Sequence, residues 1–290
     1  MSLLFNIKKH RITSCKILAI FFTGLWLVFS GEMKAQVKSF SEIAITAGGP
    51  GSSLNYGVEG ADVSQSPGFN FGIEYTYNFN NNFGISLGTE FQHFKSEVKA
   101  FAISGNYQTT DFEMESFEFR YSMRSFKEEQ TVGFINIPIM FVYQNQEYDF
   151  YVRAGAKIGL PLSGKFKSGY NLYTSGYYPQ YNAELFDPAF MGFGEFNNVQ
   201  ANGDLNIKPT YIASVELGIK QSVGKSNLYI GFYLDYGLND IADKKNRLAD
   251  YTVNDSGAGF KYNSVLNTEY VDEIKTMAFG VKLRYSVFKF

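Results

Sequence analysis

The sequence is short of the residue types that most often carry chemistry. Its 290 residues include one cysteine, one tryptophan and two histidines. Cys15 and Trp26 lie near the N-terminus, in a segment that we expect to be removed, and a chain without later cysteines forms no disulfide and no cysteine metal site. His93 would be the one histidine left, which excludes a metal site built from two or more histidine or cysteine ligands. We therefore expect neither a metal nor a cofactor, and we interpret Asp240 and Asp243 as solvated loop charge, with a carboxylate calcium site as the alternative.

Charge and long apolar runs are also scarce. The chain has 26 basic and 28 acidic residues, and charged residues make up 19% of it. Because no strong positive field is available, we expect no nucleic-acid partner. Beyond the N-terminal region no stretch reaches 18 consecutive apolar residues, so a helical membrane span is excluded there. Hydrophobic residues nevertheless make up 45% of the chain and aromatic residues 18%, which is too much apolar mass for disorder.

The N-terminal region has the pattern of a secretory signal peptide. Four basic residues between positions 8 and 16 precede an apolar run over 17–29, and the small residue Ala35 follows. A membrane anchor is the alternative, but the run is shorter than the roughly 20 residues that a spanning helix needs. We predict a signal peptide over residues 1–35 and one exported domain over residues 36–290, with a net charge of about −6 after cleavage.

The exported part alternates between apolar and polar or small residues. Because successive side chains of a β-strand point to opposite faces, this period of two predicts strands. Eight segments show it, at residues 43–47, 69–79, 83–91, 135–143, 150–160, 211–219, 228–236 and 277–287. The first is short and the least distinct. The chain is therefore predicted to be all-β.

The volume of the two faces decides which of them points inward. The apolar faces carry roughly 40 side chains, about a third of them aromatic, and the interior of an eight-stranded barrel is too narrow for them. The opposite faces carry nine glycines: Gly72, Gly84, Gly88, Gly155, Gly159, Gly218, Gly231, Gly237 and Gly280. Small residues suit a narrow lumen, so we expect the apolar faces to contact lipid.

The inward faces also carry five acids and five bases. The acids are Glu42, Glu74, Glu90, Glu216 and Asp235, and the bases are Arg153, Lys157, Lys220, Lys282 and Arg284. In the reversed orientation each base would face lipid at a cost of up to about 2–4 kcal/mol near the midplane. We predict a network in the lumen in which these ions satisfy one another.

Connection lengths alternate along the chain. Short turns are expected near residues 80–82, 144–149 and 221–227, and long loops near 49–66, 99–130, 161–208 and 239–274. Outer-membrane barrels have short periplasmic turns and longer extracellular loops, and rings such as Phe79, Phe83, Tyr143, Phe150 and Tyr285 beside the short turns suit an interfacial girdle. The prediction is an eight-stranded antiparallel up-and-down transmembrane β-barrel with long extracellular loops.

Two features complicate the count of eight strands. Residues 116–126 also alternate, with Phe117, Phe119, Tyr121 and Met123 on one face. We interpret them as a strand extension or a hairpin above the membrane, since a ninth span would place the 161–208 loop on the periplasmic side. Pro138 removes a ladder hydrogen bond, and we expect a bulge there.

Several segments resemble the Bacteroidota outer-membrane β-barrel domain family that includes PorT-like proteins. They are Ala35-Gln36 at the end of the signal, FINIPIMFVY at 134–143, FYVRAGAKIGLPLSG at 150–164 and AFGVKLRYSVFKF at 278–290. The resemblance covers most of the exported chain except the long loops. It implies an outer-membrane location, outer-membrane lipid as the surroundings and, for PorT-like members, an association with type IX secretion.

The resemblance also implies insertion by the barrel-assembly machinery, which recognises a last strand ending in an aromatic residue. Phe288 and Phe290 would supply this signal. Both lie on the phase opposite to Leu283 and Tyr285, so we predict a bulge near Val287 and Phe288 that restores the alternation.

Two residues could be mistaken for catalysts. Ser86 lies in a G-x-S-x-G pattern, but that pattern needs a sharp strand-to-helix turn and here falls inside a strand, so we expect a small lumen residue. His93 shares the phase of Phe91, and we expect an outward girdle residue. No catalytic residue is predicted.

The 161–208 loop is rich in aromatic residues and is the candidate contact surface. Its tyrosines include Tyr170, Tyr173, Tyr177, Tyr178 and Tyr181. Such rings make good contact surfaces, and the alternative is that they pack on one another or on the barrel rim.

Three hypotheses follow for function. The first is a non-enzymatic barrel that is structural or binds a protein partner or extracellular ligand through its loops, in adhesion or in secretion. The second is a small pore, which the charged lumen argues against. The third is a small barrel enzyme, which would depend on His93.

Overall fold

The computed structural model describes residues 39–145, 147–254 and 257–290. The predicted signal peptide lies outside these residues. Two short 3₁₀ helices, Ala189–Met191 and Val265–Asn267, accompany thirteen strands in the described part. The strands are β1 (Phe40–Asn55), β2 (Ala61–Gln65), β3 (Phe69–Asn78), β4 (Phe83–Thr110), β5 (Ser116–Asn145), β6 (Phe150–Tyr178), β7 (Ala183–Leu185), β8 (Gly194–Asp204), β9 (Thr210–Val223), β10 (Ser226–Gly237), β11 (Ala249–Asn254), β12 (Gly257–Tyr262) and β13 (Lys275–Lys289). None of the described helices is long and apolar enough to cross a membrane.

Eight of the strands close into a ring. Their order around it is β1, β3, β4, β5, β6, β9, β10 and β13, and every neighbouring pair is antiparallel. The ring closes between β1 and β13, whose pairing runs from Asn55↔Lys275 to Glu42↔Lys289. Each predicted segment is one of these strands, so the predicted up-and-down barrel is confirmed.

The three short turns lie at one end of the ring, as predicted. In two of them an asparagine side chain holds the turn: Asn80 Oδ1 accepts hydrogen bonds from the Asn82 and Phe83 amides, at 2.8 and 2.7 Å. Asn145 Oδ1 accepts in the same way from the Glu147 and Tyr148 amides, at 2.9 and 3.0 Å. These local bonds replace the ladder where the chain reverses.

At the other end, β4, β5 and β6 continue far beyond the ring. They have 28, 30 and 29 residues, whereas β9 has 14. Residues 116–126 belong to β5 and pair with β4, from Thr110↔Ser116 onward, which confirms a strand extension. The predicted loops 99–130 and 161–208 are therefore largely strand, and β2, β7 and β8 pair along the edges of this sheet. We call the part above the ring the extension.

Two bulges reverse which side chains of the extension point inward. On β5 the register against β6 shifts between Arg124 and Lys127, where Ser125 has φ +53°. On β6 the register against β5 shifts between Ser163 and Pro161, which leaves Leu162 unpaired. Below Leu162 the odd-numbered residues of β6 are buried, and above it the even-numbered ones are.

The two bulges that the sequence predicts have opposite outcomes. The register of β1 against β13 shifts between Ile43↔Phe288 and Ala44↔Ser286, so Val287 is the extra residue and that prediction is confirmed. The prediction at Pro138 is wrong, because β4 and β5 keep one register on either side of it. The ladder there lacks only the bridges of Ile137 and Pro138, so the missing amide is accommodated without an extra residue.

The apolar stripes of the ring face outward and the polar stripes inward. Phe71, Leu217 and Phe232 are 54%, 55% and 67% exposed, which is the surface that lipid would cover. Just above this band, the outer face carries the salt bridges Lys95–Glu129 at 3.1 Å and Lys127–Glu97 at 3.0 Å. The polarity change marks the upper limit of the membrane-spanning segments.

The interior changes character at the same height. Inside the ring the buried side chains are mostly polar, whereas inside the extension they form an apolar core. Members of this core include Phe94, Phe117, Phe119, Met123, Phe126, Phe134, Leu172 and Phe193. The β10–β13 loop packs into the same core through Ile241, Leu248, Val265 and Leu266, each at most 1% exposed.

Candidate functional site

The candidate site has two parts, the charged lumen and the extension above it. The first charge cluster of the lumen contains two arginines and two glutamates. Arg153 Nη1 lies 2.7 Å from Glu74 Oε2, and Arg284 Nη2 lies 2.8 Å from Glu216 Oε2. Arg284 Nε also reaches Glu74 at 3.1 Å, and these side chains are at most 4% exposed. The four formal charges cancel.

The second charge cluster lies one layer further from the short turns, and its two positive and two negative charges also cancel. Lys157 Nζ lies 2.8 Å from Glu90 Oε1 and 2.8 Å from Asp235 Oδ2. Lys282 pairs with the other oxygen of Glu90. Ser214 Oγ donates to Asp235 at 2.6 Å. Each ionic side chain of the two charge clusters thus has a partner of opposite charge, as the low dielectric of such a site demands.

Two of the predicted ions lie outside these clusters. Lys220 pairs with no carboxylate among the described residues and donates to Gln144 Oε1 at 2.8 Å. Glu42 accepts hydrogen bonds from Asn227 Nδ2 and, at 2.7 Å, from Tyr229. Neutral groups therefore form the hydrogen bonds of both Lys220 and Glu42, because these two residues lie nearer the turn end of the ring, where amide and hydroxyl groups are within reach.

Arg153 also departs from the expectation that the charged side chains of the lumen satisfy one another, since its Nε and Nη2 are buried without a partner in the described chain.

A pair of glycines makes room for the first charge cluster. Gly218 and Gly231 face each other across β9 and β10. A Cβ on Gly218 would collide with the Ile230 carbonyl and Gly231 Cα, and a Cβ on Gly231 would collide with the Tyr151 hydroxyl. Without these side chains the Tyr151 hydroxyl reaches Glu216 Oε1, at 2.6 Å.

Above the charge clusters a neutral polar layer also crosses the lumen. Asn136 Nδ2 donates to Gln92 Oε1 at 2.7 Å, and Asn70 Nδ2 donates to the Tyr233 hydroxyl at 2.9 Å. All four residues are at most 4% exposed. Ions, amides and then the apolar core therefore fill the described barrel in successive layers, which favours a closed lumen over an aqueous channel.

Glu128, which the sequence pattern did not single out, is a buried carboxylate in the extension. It is 0% exposed and lies among apolar core residues, with no basic partner in the described chain. Ser264 Oγ donates to it, and so do Gln130 Nε2 at 3.0 Å and the Val265 amide at 3.2 Å. Burial raises the pKa of Glu128 to about 7, although these hydrogen bonds oppose the shift. It keeps the even-numbered inward phase of Asn136 on the same strand, and it was missed because residues 99–130 were predicted to be a loop.

Glu128 connects the β10–β13 loop to β5 through its hydrogen bonds with Ser264 and Val265. Ser264 and Val265 stand at the start of the second 3₁₀ helix, whose residues are all buried inside the extension. Tyr56 donates to Gln130 Oε1 at 2.8 Å and so orients the amide that donates to Glu128. The carboxylate therefore joins β5 to the segment that fills the mouth of the barrel.

The predicted tyrosine contact surface is wrong for two of its five members. Tyr170 and Tyr178 are 5% and 4% exposed, because the bulge at Leu162 turns the even-numbered residues of β6 inward. Tyr173 and Tyr177 lie on the outer face, under the guanidinium groups of Arg124 and Arg120 at 4.4 and 4.7 Å. Tyr181 is 63% exposed at the end of the extension.

The two residues that could be mistaken for catalysts lie apart. Ser86 is 1% exposed in the lumen, where its hydroxyl donates weakly to Glu74 at 3.4 Å. His93 is on the outer face, stacked on Phe69 at 5.3 Å between ring centroids. No nucleophile–base pair forms between them. The described residues also contain no group of three or more His, Cys, Asp or Glu side chains that could hold a metal ion.

The aromatic residues beside the short turns form neighbouring pairs on the outer face. Phe83 and Tyr143 lie 5.3 Å apart between ring centroids, and Tyr143 and Phe150 lie 5.8 Å apart. Phe288 and Phe290 are 61% and 69% exposed at the same end. Phe290 exchanges backbone hydrogen bonds with Ser41, at 2.7 and 3.0 Å.

A closed ring with apolar residues outside and paired ions inside defines a transmembrane β-barrel. Residues 34–243 match the family model described as outer membrane protein beta-barrel domain. The match covers more than half of the chain, and the protein belongs to this family.

Comparison with solved structures aligns the chain with several outer-membrane proteins. Ail, the attachment invasion locus protein of Yersinia pestis, is 12% identical over 85% of this chain and 99% of that chain, with a TM-score of 0.28. Neisserial surface protein A is 11% identical over 86% and 99%, with a TM-score of 0.29. OprG from Pseudomonas aeruginosa is 10% identical over 87% and 95%, with a TM-score of 0.33. No curated protein sequence matches the chain.

Proposed function

We propose that this outer-membrane barrel is a non-conducting, non-enzymatic protein that binds a partner through its extension, in adhesion or in secretion. The observation that carries the proposal is the contrast between the two halves of β4, β5 and β6. Their lower halves enclose a lumen filled by paired ions, and their upper halves build a sheet with its own apolar core. A protein that conducted solutes would need an open lumen, whereas one that binds a partner needs a rigid surface beyond the lipid.

The proposal also includes how the chain reaches its membrane. The basic residues and apolar run before Ala35 support export by a signal peptide. The motifs at 134–143, 150–164 and 278–290 support a place in the PorT-like branch found in Bacteroidota, with insertion guided by the exposed Phe288 and Phe290. A role in type IX secretion would be one form of the partner binding proposed here.

Two measurements test the proposal. In planar bilayers the purified barrel should give no stable steps of conductance, because paired charged side chains fill the lumen. In intact cells, a photoreactive amino acid in place of Tyr181 should crosslink to a protein, whereas the same group in place of the lipid-facing Phe232 should not. Stable conductance, or equal crosslinking from both positions, would contradict the proposal.

A further inference from the structure

The far end of the extension carries apolar side chains that lipid cannot cover. β4 ends at Thr110, 17 residues beyond His93 at the upper edge of the lipid-facing band. At about 3.3 Å per residue and a tilt near 40°, this end stands roughly 40 Å above the band. Six large side chains are nevertheless exposed there: Phe112 at 46%, Met114 at 79%, Tyr181 at 63%, Leu185 at 38%, Phe186 at 64% and Phe190 at 60%. We call this set the tip patch.

The tip patch is held by a rigid frame. Tyr178 donates to Asp111 Oδ2 at 2.8 Å, and Tyr181 donates to Glu115 Oε1 at 2.8 Å. These bonds join the turn between β4 and β5 to the turn between β6 and β7. Asp111 Oδ1 also accepts from the amides of Glu113 and Glu115, at 2.9 and 3.0 Å. The patch is therefore organised before any partner arrives, which lowers the entropic cost of binding.

A groove of about 320 Å³ runs between the two turns. Its walls include Asp111, Glu113, Glu115, Tyr181 and Leu185, so carboxylates and apolar surface lie side by side. Phe112 and Phe190 continue the apolar surface next to it, with ring centroids 6.4 Å apart.

The charge around the tip patch has one sign. The two segments that form it, 111–115 and 179–192, contain five acids and no lysine or arginine: Asp111, Glu113, Glu115, Glu184 and Asp187. Arg120 pairs with Glu184 at 3.1 Å, and none of the other four acids forms a salt bridge within the described residues. The surroundings of the apolar surface are thus negatively charged.

We propose that the tip patch binds a cationic amphipathic segment of a protein, one with lysines or arginines beside apolar side chains. This inference rests on the proposed function and names the chemistry of its partner. Apolar side chains of the segment would cover Phe112 and Phe190, and its basic groups would meet the carboxylates of the groove. An anionic membrane surface or nucleic acid would be repelled by these carboxylates, and so would the tip patch of a second copy.

The test uses the full-length protein in nanodiscs of zwitterionic lipid and a fluorescent peptide of leucines and lysines that forms an amphipathic helix. Fluorescence anisotropy should show binding in the micromolar range that weakens at least about tenfold in 0.5 M salt. The same peptide with glutamate in place of lysine, and empty nanodiscs, should bind at least about tenfold more weakly.

Two variants and a matched control locate the binding. The double variants Phe112→Ser/Phe190→Ser and Glu113→Gln/Asp187→Asn should each weaken binding at least about tenfold. Phe101→Ser should leave it unchanged, since Phe101 is 84% exposed but lies outside the tip patch. All four proteins should show the same heat-dependent gel mobility, which verifies that the barrel is folded.

Three results would overturn the inference. They are no binding of the lysine peptide up to 1 mM, equal binding of the glutamate peptide, or tip variants that bind like the wild type. A concentration-dependent dimer that Phe112→Ser/Phe190→Ser abolishes would make a second copy the occupant instead. If the peptide test fails while Tyr181 still crosslinks to a protein in cells, the partner chemistry is wrong and the proposed function stands.

Discussion

Arg153 and Glu74 form an ion pair at 2.7 Å across the centre of the barrel, from β6 on one side to β3 on the other. They are 2% and 3% exposed, so neither charge has water as an alternative partner. Arg284 joins Glu74 to Glu216, and the first charge cluster is neutral as a whole. Stability should therefore depend on the balance of this cluster more than on any single pair.

Removing one member of the pair should be costly. Arg153→Met leaves Glu74 and Glu216 with Arg284 as their one basic partner in the cluster, and we expect a loss of about 3–5 kcal/mol. The measurement is urea unfolding in detergent micelles, followed by far-UV circular dichroism.

The control for this prediction is the double variant Arg153→Met/Glu74→Met. It restores the charge balance of the first charge cluster, so it should recover most of the lost stability. A single variant as stable as the wild type, or a double variant less stable than the single, would contradict the account.

The close contact of the Gly218 backbone with β10 predicts that a side chain at this position lowers the stability of the barrel. A Cβ there meets the Ile230 carbonyl and Gly231 Cα, neither of which can move without disturbing the β9–β10 ladder. We expect Gly218→Ala to cost about 1–3 kcal/mol in the same unfolding measurement. Gly57→Ala is the matched control, because nothing lies within 4 Å of a Cβ at that position. Equal effects of the two substitutions would show that close packing is not the cause.

The alternation of apolar and polar residues predicted the ring well because one face of each ring strand contacts lipid and the other faces the polar and charged side chains of the lumen. The same rule failed in the extension, where a single extra residue reverses the faces. Neither Ser125 nor Leu162 lies in a sequence pattern that indicates a bulge, so the inward positions of Tyr170 and Tyr178 could not be predicted. Glu128 keeps the phase of Asn136 and could have been predicted if β5 had been extended beyond residue 130. Val287 could be, because Phe288 and Phe290 break the phase of the strand before them.

The bulge at Val287 predicts how the last strand tolerates changes in length. Deleting Val287 leaves Phe288 opposite Ile43 and facing outward, so folded barrel should still form. Deleting both Ser286 and Val287 removes the extra residue and one more, so regular alternation would turn both phenylalanines inward and place Lys289 toward lipid, at a cost of up to about 1 kcal/mol near the interface. The fraction of heat-modifiable barrel in membranes measures both. Equal yields from the one-residue and the two-residue deletion would disprove the role of the bulge.

Glu128 predicts a pH dependence with a definite sign. Its pKa in the folded protein is about 7, raised from 4.5 mainly by burial. Between these values the folded state keeps a proton that the unfolded state has released, so the free energy of unfolding falls as pH rises. Below about pH 4.5 the contribution is fully present, and above about pH 7 it is lost.

The contribution of Glu128 should reach about 3 kcal/mol and should be felt first where this carboxylate holds the β10–β13 loop. Hydrogen exchange of residues 264–268 between pH 5 and 9, corrected for the intrinsic rate, should therefore show faster opening at alkaline pH. Glu128→Gln keeps the shape and the acceptor oxygen but does not titrate, so it should hold the loop equally at every pH. Persistence of the wild-type pH dependence in this variant would assign the effect to another group.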